Sequence, residues 1–175
     1  VVVKPAENTS FATFRLVELM QAFLPAGVVN IVTGDGAKVG DALTAHPDVA
    51  KVSFTGSGTV GRRVQQRAAE TFKRVTLELG GKGPSIVLPG ADLDLTARGI
   101  SFGYLLGAGQ ACISGTRLLV PEALHDALVE RLVVLAQSLK AGDPFDPATT
   151  LGPMGSAAHL QRVLNVLARL LWLGH

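Results

Sequence analysis

A single cysteine, Cys112, follows a glycine-rich stretch and is a candidate for covalent chemistry. It ends the run GAGQAC at residues 107–112, whose glycines favour a loop in which backbone N–H groups can converge. A thiolate held in such a loop can attack a carbonyl carbon while the N–H groups bind the oxyanion that forms. A lone cysteine is more often a small buried apolar residue, so the pattern alone leaves both interpretations open.

A glycine-rich turn that matches the pattern G-x-G-x-x-G is a candidate for phosphate binding. The match runs from Gly56 through Ser57 to Gly61, between segments that predict a strand and a helix. Glycine lets the backbone approach a phosphate, and the N-terminus of a helix offers N–H donors and the positive end of a dipole. Glu78 follows about 20 residues later, where dinucleotide-binding folds place an acid on the ribose. An ordinary strand–helix turn is the alternative.

Alternating apolar strands and helices would position these candidates. We predict strands at Val28–Val32, Val49–Phe54 and Val75–Leu79 that pair in parallel within one sheet, because the run VVNIV is nearly all apolar, as in strands covered on both faces. Short loops between alternating strands and helices favour an α/β fold with a Rossmann-like parallel sheet. A helix that Thr9 or Ser10 can cap precedes them. Its predicted apolar face carries Phe11, Phe14, Val17, Met20 and Phe23.

We predict a domain boundary at residues 80–84, because the glycine-rich run GGKGP interrupts the alternation of predicted strands and helices. Beyond it we expect two further strands and three helices, the last two helices being separated by a Pro/Gly-rich loop at residues 141–155. The strands are predicted at Ser85–Leu88 and Thr116–Val120, and the helices at Leu93–Leu106, Glu122–Leu139 and Ser156–Leu171.

Composition and charge exclude several classes of protein. Apolar residues make up 47% of the chain and charged residues 17%, which indicates a globular protein. The net charge of only +2 does not favour binding to nucleic acid or to an anionic membrane. No signal peptide or bilayer-spanning apolar run is present. One cysteine excludes an internal disulfide and fits a reducing compartment, so we expect a cytoplasmic protein. The four histidines lack metal-ligand spacing, and no metal site is predicted.

Four short motifs resemble successive signatures of the aldehyde dehydrogenase superfamily, in the family's order and nearly at its spacing. They are Lys4-Pro5-Ala6-Glu7, Phe54-Thr55-Gly56-Ser57, Leu77-Glu78-Leu79-Gly80-Gly81-Lys82 and Gly109-Gln110-x-Cys112. Further matches are Asp92, Arg117, Gly142-Asp143-Pro144 and Gly152-Pro153. The resemblance covers roughly residues 1–160 and fades after about Gln161, and the segment Leu167–His175 looks unlike the family.

The resemblance implies oxidation of a small-molecule aldehyde to a carboxylic acid with hydride transfer to NAD(P). Cys112 would be the nucleophile, forming first a thiohemiacetal with the aldehyde and then a thioester. Glu78 would be the general base that activates water to hydrolyse the thioester, which replaces its interpretation as a ribose ligand. A cysteine hydrolase, by contrast, would need a histidine base, and none is suitably placed.

The resemblance also implies a set of cofactor-binding residues. Lys4 and Glu7 would hold the hydroxyls of the adenosine ribose. Ser57 would meet the pyrophosphate, with Gly56 and Gly61 allowing close approach. The backbone of Leu79 would lie near the nicotinamide amide. We expect NAD to be preferred, with NADP possible, because the carboxylate of Glu7 would repel a 2′-phosphate.

The implied domain organisation is that of an internal fragment of a homo-oligomeric enzyme, since the chain starts with Val1 rather than Met. Residues 1–80 would be the C-terminal part of a dinucleotide-binding domain and residues 81–175 the beginning of the catalytic domain. The family also uses an oxyanion asparagine and a glutamate in an E-x-F-G-P motif, and neither is matched. This piece alone is therefore expected to be inactive. The alternative is a non-catalytic remnant that binds a nucleotide weakly or serves only in association.

Overall fold

The computed structural model describes residues 1–173. The chain divides into two compact units, Val1–Leu79 and Gly80–His175. Residues 174 and 175, the end of the segment that looks unlike the family, lie outside the described residues. The first unit contains two pairs of parallel strands and the helices between them. The strands are β1 (Val2–Val3) with β2 (Asn30–Ile31), and β3 (Lys51–Gly56) with β4 (Arg74–Leu79).

The β3–β4 pair is the most regular part of the first unit. Exposed and half-buried residues alternate along both strands, the pattern of a sheet with one covered face. The half-buried face carries Val52 and Phe54 on β3 and Val75 and Leu77 on β4, aromatic and aliphatic residues suited to strands. Helix α3 (Gly58–Ala69) connects the two strands and buries Val64 and Ala68, together with Gly61.

The prediction that the strands at Val28–Val32, Val49–Phe54 and Val75–Leu79 share one sheet is wrong. Strand β2 pairs with β1, β3 pairs with β4, and no strand joins the two pairs within the described residues. In doubly wound sheets of order 3-2-1-4-5-6, neighbours 3-2 and 4-5 are separated by strand 1, so strands that are consecutive in the chain need not pair with each other. Among the strands of this unit none pairs with both the β1–β2 and the β3–β4 pair, so the hydrogen-bonded ladder is interrupted between the two pairs.

Helix α1 (Ser10–Met20) forms where it is predicted, but its apolar face is largely exposed. Val17 is the one buried residue of α1, whereas Phe11 is 90% exposed. Thr9 stands at the N-cap position without a side-chain hydrogen bond, so the predicted cap does not form. After β2, the chain passes through a π-helical turn at Gly36–Gly40 into the short helix α2 (Asp41–Ala45).

The second unit builds a small core between one strand pair and two helices. Strands β5 (Pro84–Ile86) and β6 (Arg117–Leu119) are parallel. The helices are α4 (Leu93–Leu105), α5 (Glu122–Gln137) and α6 (Ala157–Leu173). Val87, Ala97 and Leu128 form the buried cluster, with half-buried apolar side chains of α4, α5 and the β6 segment around it. None of the helices within residues 1–173 has the length and apolar character needed to cross a membrane.

The turn between α3 and β4 contains a strained aromatic residue. Phe72 adopts a φ of 54°, in the left-handed region that glycine or asparagine usually occupies, and its side chain is 96% exposed. The N–H of Lys73 donates to the carbonyl oxygen of Ala68 at 3.0 Å, which closes the end of the helix. The strained backbone at Phe72 is therefore fixed by its neighbours and is not offset by burial of its ring.

We predict that Phe72→Asn stabilises the protein. A non-glycine residue in the left-handed region costs about 1–2 kcal/mol, and asparagine tolerates that region better. We expect the free energy of unfolding to rise by about 0.5–1 kcal/mol in urea denaturation. Phe145→Asn is the matched control, because Phe145 is 94% exposed and has no positive φ. An equal gain at both positions, or none at Phe72, would contradict the strain argument.

Candidate functional site

Lys4 and Glu7 lie together at the carboxyl end of β1, beside the turn that follows β2. Lys4 Nζ donates to Glu7 Oε1 at 3.2 Å and to the carbonyl oxygen of Gly34 at 3.0 Å. Glu7 Oε1 also accepts from the N–H of Gly36 at 2.7 Å. Ligands of open α/β sheets bind at the carboxyl ends of the strands. Gly34 and Gly36 follow the apolar run VVNIV closely, and this position is the signal in the sequence by which their part in the site could have been found.

The carboxylate of Glu7 is held in its charged form. The hydrogen bond from its own backbone N–H lowers the pKa of Glu7 most, followed by the hydrogen bond from Lys4 and that from the N–H of Gly36. Because the folded-state pKa is depressed, these bonds stabilise the fold above the ordinary value of 4.5, and this contribution is lost as the pH falls through the folded-state pKa. Both hydrogen bonds from other residues go to Oε1, and no bond from another described residue reaches Oε2.

The Gly56–Ser57 turn lies at the carboxyl end of β3, and the β3–β4 register brings the end of β4 beside it. Thr55 pairs with Glu78, and Gly56 pairs with Leu79. Ser57 is the N-cap of α3, and its Oγ accepts from the N–H of Val60 at 3.3 Å. Four predicted site residues are thus brought to one edge of the sheet: Gly56, Ser57, Glu78 and Leu79. The side chain of Glu78 is exposed, and none of the described hydrogen bonds uses it.

Gly61 allows the first turn of α3 to pack directly on the end of β4. An ideal Cβ placed on Gly61 would lie 2.7 Å from Cδ2 of Leu79, whereas a Cβ on Gly58 would meet nothing within 4 Å. Close helix–strand packing is the function of the third glycine in glycine-rich dinucleotide fingerprints. The close approach that Gly61 permits within the chain is therefore that of Leu79, and its predicted approach to a phosphate stays a prediction.

We predict that Gly61→Ala destabilises the protein and Gly58→Ala does not. The added methyl group at Gly61 must displace the side chain of Leu79, and overpacking of this kind costs about 1–3 kcal/mol. Alanine at Gly58, the first residue of α3, meets no neighbour and favours the helix. Urea denaturation of both variants measures the difference. Equal stabilities would show that the contact between Gly61 and Leu79 does not constrain the unit.

Cys112 is exposed in a tight turn of the second unit. The N–H of Ser114 donates to the carbonyl oxygen of Ala111 at 3.2 Å and closes this turn. Among the described residues, the N–H groups of Cys112 and Ile113 have no acceptor. Ala108, four residues earlier, has a φ of 58°, a strained conformation of the kind found at functional sites. The turn therefore presents a thiol together with unpaired N–H donors.

Two further elements support the Cys112 turn. An ideal Cβ on Gly81 would lie 3.9 Å from the carbonyl oxygen of Cys112, so the glycine-rich segment at residues 80–84 passes close to the turn. Arg117, at the start of β6, donates from Nε to the carbonyl oxygen of Lys82 at 2.8 Å and holds that segment. Arg117 is one of the residues that match the aldehyde dehydrogenase pattern, and this hydrogen bond gives it a local structural role.

The second unit also has a surface groove, which lies apart from the predicted site residues. A shallow groove of about 470 Å³ lies between α4 and α5 and contains none of the predicted site residues. Its lining residues are Asp94, Ala97, Arg98, Glu130, Arg131, Val134 and Leu135. Within residues 1–173, no three His, Cys, Asp or Glu side chains are grouped so that they could hold a metal ion.

Comparison with known proteins adds a consistent set of matches. The chain matches the model of the aldehyde dehydrogenase family over residues 1–172. The match therefore extends past Gln161, after which the resemblance was expected to fade, and into the segment Leu167–His175. It is similar to phenylacetaldehyde dehydrogenase of Pseudomonas fluorescens, with 45% identity over 166 residues that make up 94% of this chain and 33% of that protein. The chain thus spans about a third of the length of this curated relative.

Solved structures give the same result. An NAD-dependent aldehyde dehydrogenase from Sinorhizobium meliloti superimposes with a TM-score of 0.93 at 49% identity, covering 96% of this chain and 34% of that one. An aldehyde dehydrogenase from Bacillus cereus, solved as an NAD⁺ complex, superimposes with a TM-score of 0.92 at 39% identity, covering 95% and 34%. The α/β fold, with its short parallel strand pairs, is therefore the fold of the corresponding third of these enzymes.

Proposed function

Since this chain belongs to the aldehyde dehydrogenase family, we propose that the protein oxidises an aldehyde to a carboxylic acid, with hydride transfer to NAD. The observation that carries this proposal is the exposed thiol of Cys112 in a turn where the N–H groups of Cys112 and Ile113 have no acceptor among the described residues. A nucleophile next to preorganised N–H donors is the arrangement that acyl chemistry requires.

In the proposed reaction, Cys112 is the residue that becomes covalently modified. Its Sγ bonds to the carbonyl carbon of the aldehyde, the carbonyl electron pair moves to oxygen, and the N–H of Cys112 donates to the resulting oxyanion. NAD, when bound, supplies the hydride acceptor. The C=O bond re-forms as a hydride leaves this carbon for that acceptor, and a thioester remains on Cys112. The Glu78 carboxylate then accepts a proton from the water that attacks the thioester, so that the acid is released and the thiolate returns.

The proposed cofactor site combines the residues at the carboxyl end of β1 with those at the carboxyl ends of β3 and β4. Glu7 Oε2 offers an acceptor for the ribose hydroxyls, since no hydrogen bond from another described residue reaches it. Lys4 Nζ would exchange one of its three bonds, to Pro5, Gly34 or Glu7, for a bond to a ribose hydroxyl. Ser57 stands at the N-terminus of a twelve-residue helix, a favourable place for a pyrophosphate. The remaining proposed contacts come from Gly56, Gly61 and the backbone of Leu79. The NAD⁺ complex of the similar Bacillus cereus enzyme supports NAD as the cofactor.

We further propose that residues 1–80 form the C-terminal part of a dinucleotide-binding domain and residues 81–175 the beginning of a catalytic domain. The boundary between the two units of the chain falls between Leu79 and Gly80, which supports this assignment. Exposed apolar side chains such as Phe11, Phe23 and Phe102 support association of copies into a homo-oligomer. The single cysteine fits a reducing compartment such as the cytoplasm.

A non-catalytic, nucleotide-binding role is the second candidate. It would need only the first unit, which contains Lys4, Glu7 and Ser57 but not Cys112. Binding of NAD without formation of an acyl-enzyme would identify this second function.

We predict that the enzyme prefers NAD to NADP by at least about tenfold in kcat/KM, because about 1.4 kcal/mol of repulsion from Glu7 suffices for that ratio. Glu7→Gln removes the charge and should narrow the preference. Glu18→Gln is the matched control, since Glu18 is an exposed carboxylate paired with Arg15 on α1. Steady-state kinetics with both cofactors decide the matter. An equal or reversed preference in the unmodified enzyme refutes the role of Glu7.

We predict that Cys112→Ala abolishes aldehyde oxidation and any esterase side activity, whereas Glu78→Gln slows mainly the hydrolysis of the acyl-enzyme. A general base contributes about 10²–10⁴-fold, so Glu78→Gln should release one burst of NADH and then stall in a rapid-mixing experiment. Glu70→Gln, which alters an exposed carboxylate paired with Arg67, is the control. If Glu78→Gln hydrolyses its thioester at the unmodified rate, Glu78 is not the base, and its interpretation as a ribose ligand returns.

A further inference from the structure

The carboxamide of Gln110 connects the Cys112 turn to a distant loop. Gln110 Nε2 donates to the carbonyl oxygen of Gly107 at 3.0 Å and to that of Pro153 at 3.3 Å. Gln110 Oε1 accepts from the N–H of Gly155 at 2.8 Å. Two of these bonds therefore join segments 43 and 45 residues apart in the sequence. Both the nitrogen and the oxygen of the carboxamide therefore form hydrogen bonds.

The loop that Gln110 contacts is itself anchored. The N–H of Leu151 donates to the carbonyl oxygen of Lys140 at 3.0 Å, just beyond the end of α5. Ser156 follows Gly155 directly, and its Oγ accepts from the N–H of His159 in the first turn of α6. The segment between Leu151 and Ser156 is thus fixed at both ends. Hydrogen bonds from Gln110 to this segment therefore fix the backbone of Gln110 as well.

The position of Gln110 in the chain transmits this constraint to the thiol. Its Cα is two residues from that of Cys112, a distance of at most about 7 Å. The side chain of Gln110 is exposed, and ordering an exposed glutamine costs up to about 2 kcal/mol of conformational entropy. Three simultaneous bonds can offset that cost. They also hold the segment that contains Ala108 in its left-handed conformation, at a φ of 58°.

We propose that Gln110 is a positioning residue, which fixes the Cys112 turn against the segment Pro153–Gly155 so that the thiol and its neighbouring N–H groups keep one arrangement. The proposal rests on the proposed function of Cys112 as the nucleophile. Gln110 touches no reacting atom in this account. It acts through the backbone that carries the nucleophile, and its loss should affect the chemical step more than substrate binding.

The test compares two variants that break the same hydrogen bond from opposite sides, in the active enzyme. Gln110→Met keeps the length of the side chain but cannot bond, and Gly155→Pro deletes the donor N–H. We expect each to lower kcat per titrated active site at least tenfold, with KM for the aldehyde within twofold. Gly155→Ala retains the N–H, and Gln161→Met removes only a bond to Asn165 on α6. Both controls should stay within twofold of the unmodified enzyme.

The double variant and thiol alkylation complete the test. Because both changes remove one shared bond, Gln110→Met with Gly155→Pro should lose no more activity than the worse single variant. The rate at which iodoacetamide alkylates Cys112, followed on the peptide that contains it, should rise at least threefold in each single variant at a temperature where both are folded.

Three outcomes overturn the proposal: an unchanged kcat in Gln110→Met, a loss that appears only in KM, or fully additive effects of the two changes. Alkylation needs no turnover, so it reports on the turn even if Cys112 is not the nucleophile. Retention of activity by Cys112→Ala would instead refute the proposed function, whatever Gln110 does.

Discussion

The in-register pairing of β3 with β4 is the constraint on which the first unit depends. Six residues of each strand pair without a bulge, and this register sets Glu78 beside Thr55 and Leu79 beside Gly56. A slip of one residue would turn the side chain of Glu78 to the opposite face of the sheet. A slip would also break the contact between Gly61 and Leu79, where an added Cβ would lie 2.7 Å from Cδ2 of the leucine.

The second unit positions its candidate nucleophile by a different means. Cys112 lies on no strand. Its turn is held by three hydrogen bonds of the Gln110 carboxamide and by the bond from the N–H of Ser114 to Ala111, and Arg117 holds the neighbouring segment at residues 80–84. A loop held in this way can be displaced by the loss of one side chain. A strand pair is held by many backbone hydrogen bonds, so the loss of one side chain disturbs it less. The two proposed catalytic groups, Cys112 and Glu78, therefore differ in how easily a remote substitution can disturb them.

Local features of this chain could be predicted from its sequence. Which strands pair, and which residues distant in the sequence come into contact, could not be predicted. The types of the elements and the place of Ser57 at a helix start follow from short-range pattern and cap chemistry. The resemblance implied that Lys4 and Glu7 act together on one ribose, and the structure joins their side chains by a hydrogen bond. The single sheet was predicted wrongly, because strand order depends on strands distant in the sequence. The exposure of Phe11 and the bonds of Gln110 likewise depend on surroundings that no local pattern encodes.

A common arrangement links the candidate sites: some polar groups fix the geometry, and neighbouring ones keep no partner among the described residues. Glu7 accepts two hydrogen bonds through Oε1, which orients Oε2 without engaging it. In the turn around Cys112, the N–H of Ser114 closes the loop, while the N–H groups of Cys112 and Ile113 have no acceptor within residues 1–173. Unpaired donors and acceptors held by bonded neighbours need little reorganisation when a ligand or a developing charge arrives. Such preorganisation does not require a large core, which is why a chain that exposes so many apolar side chains can still hold these groups in place.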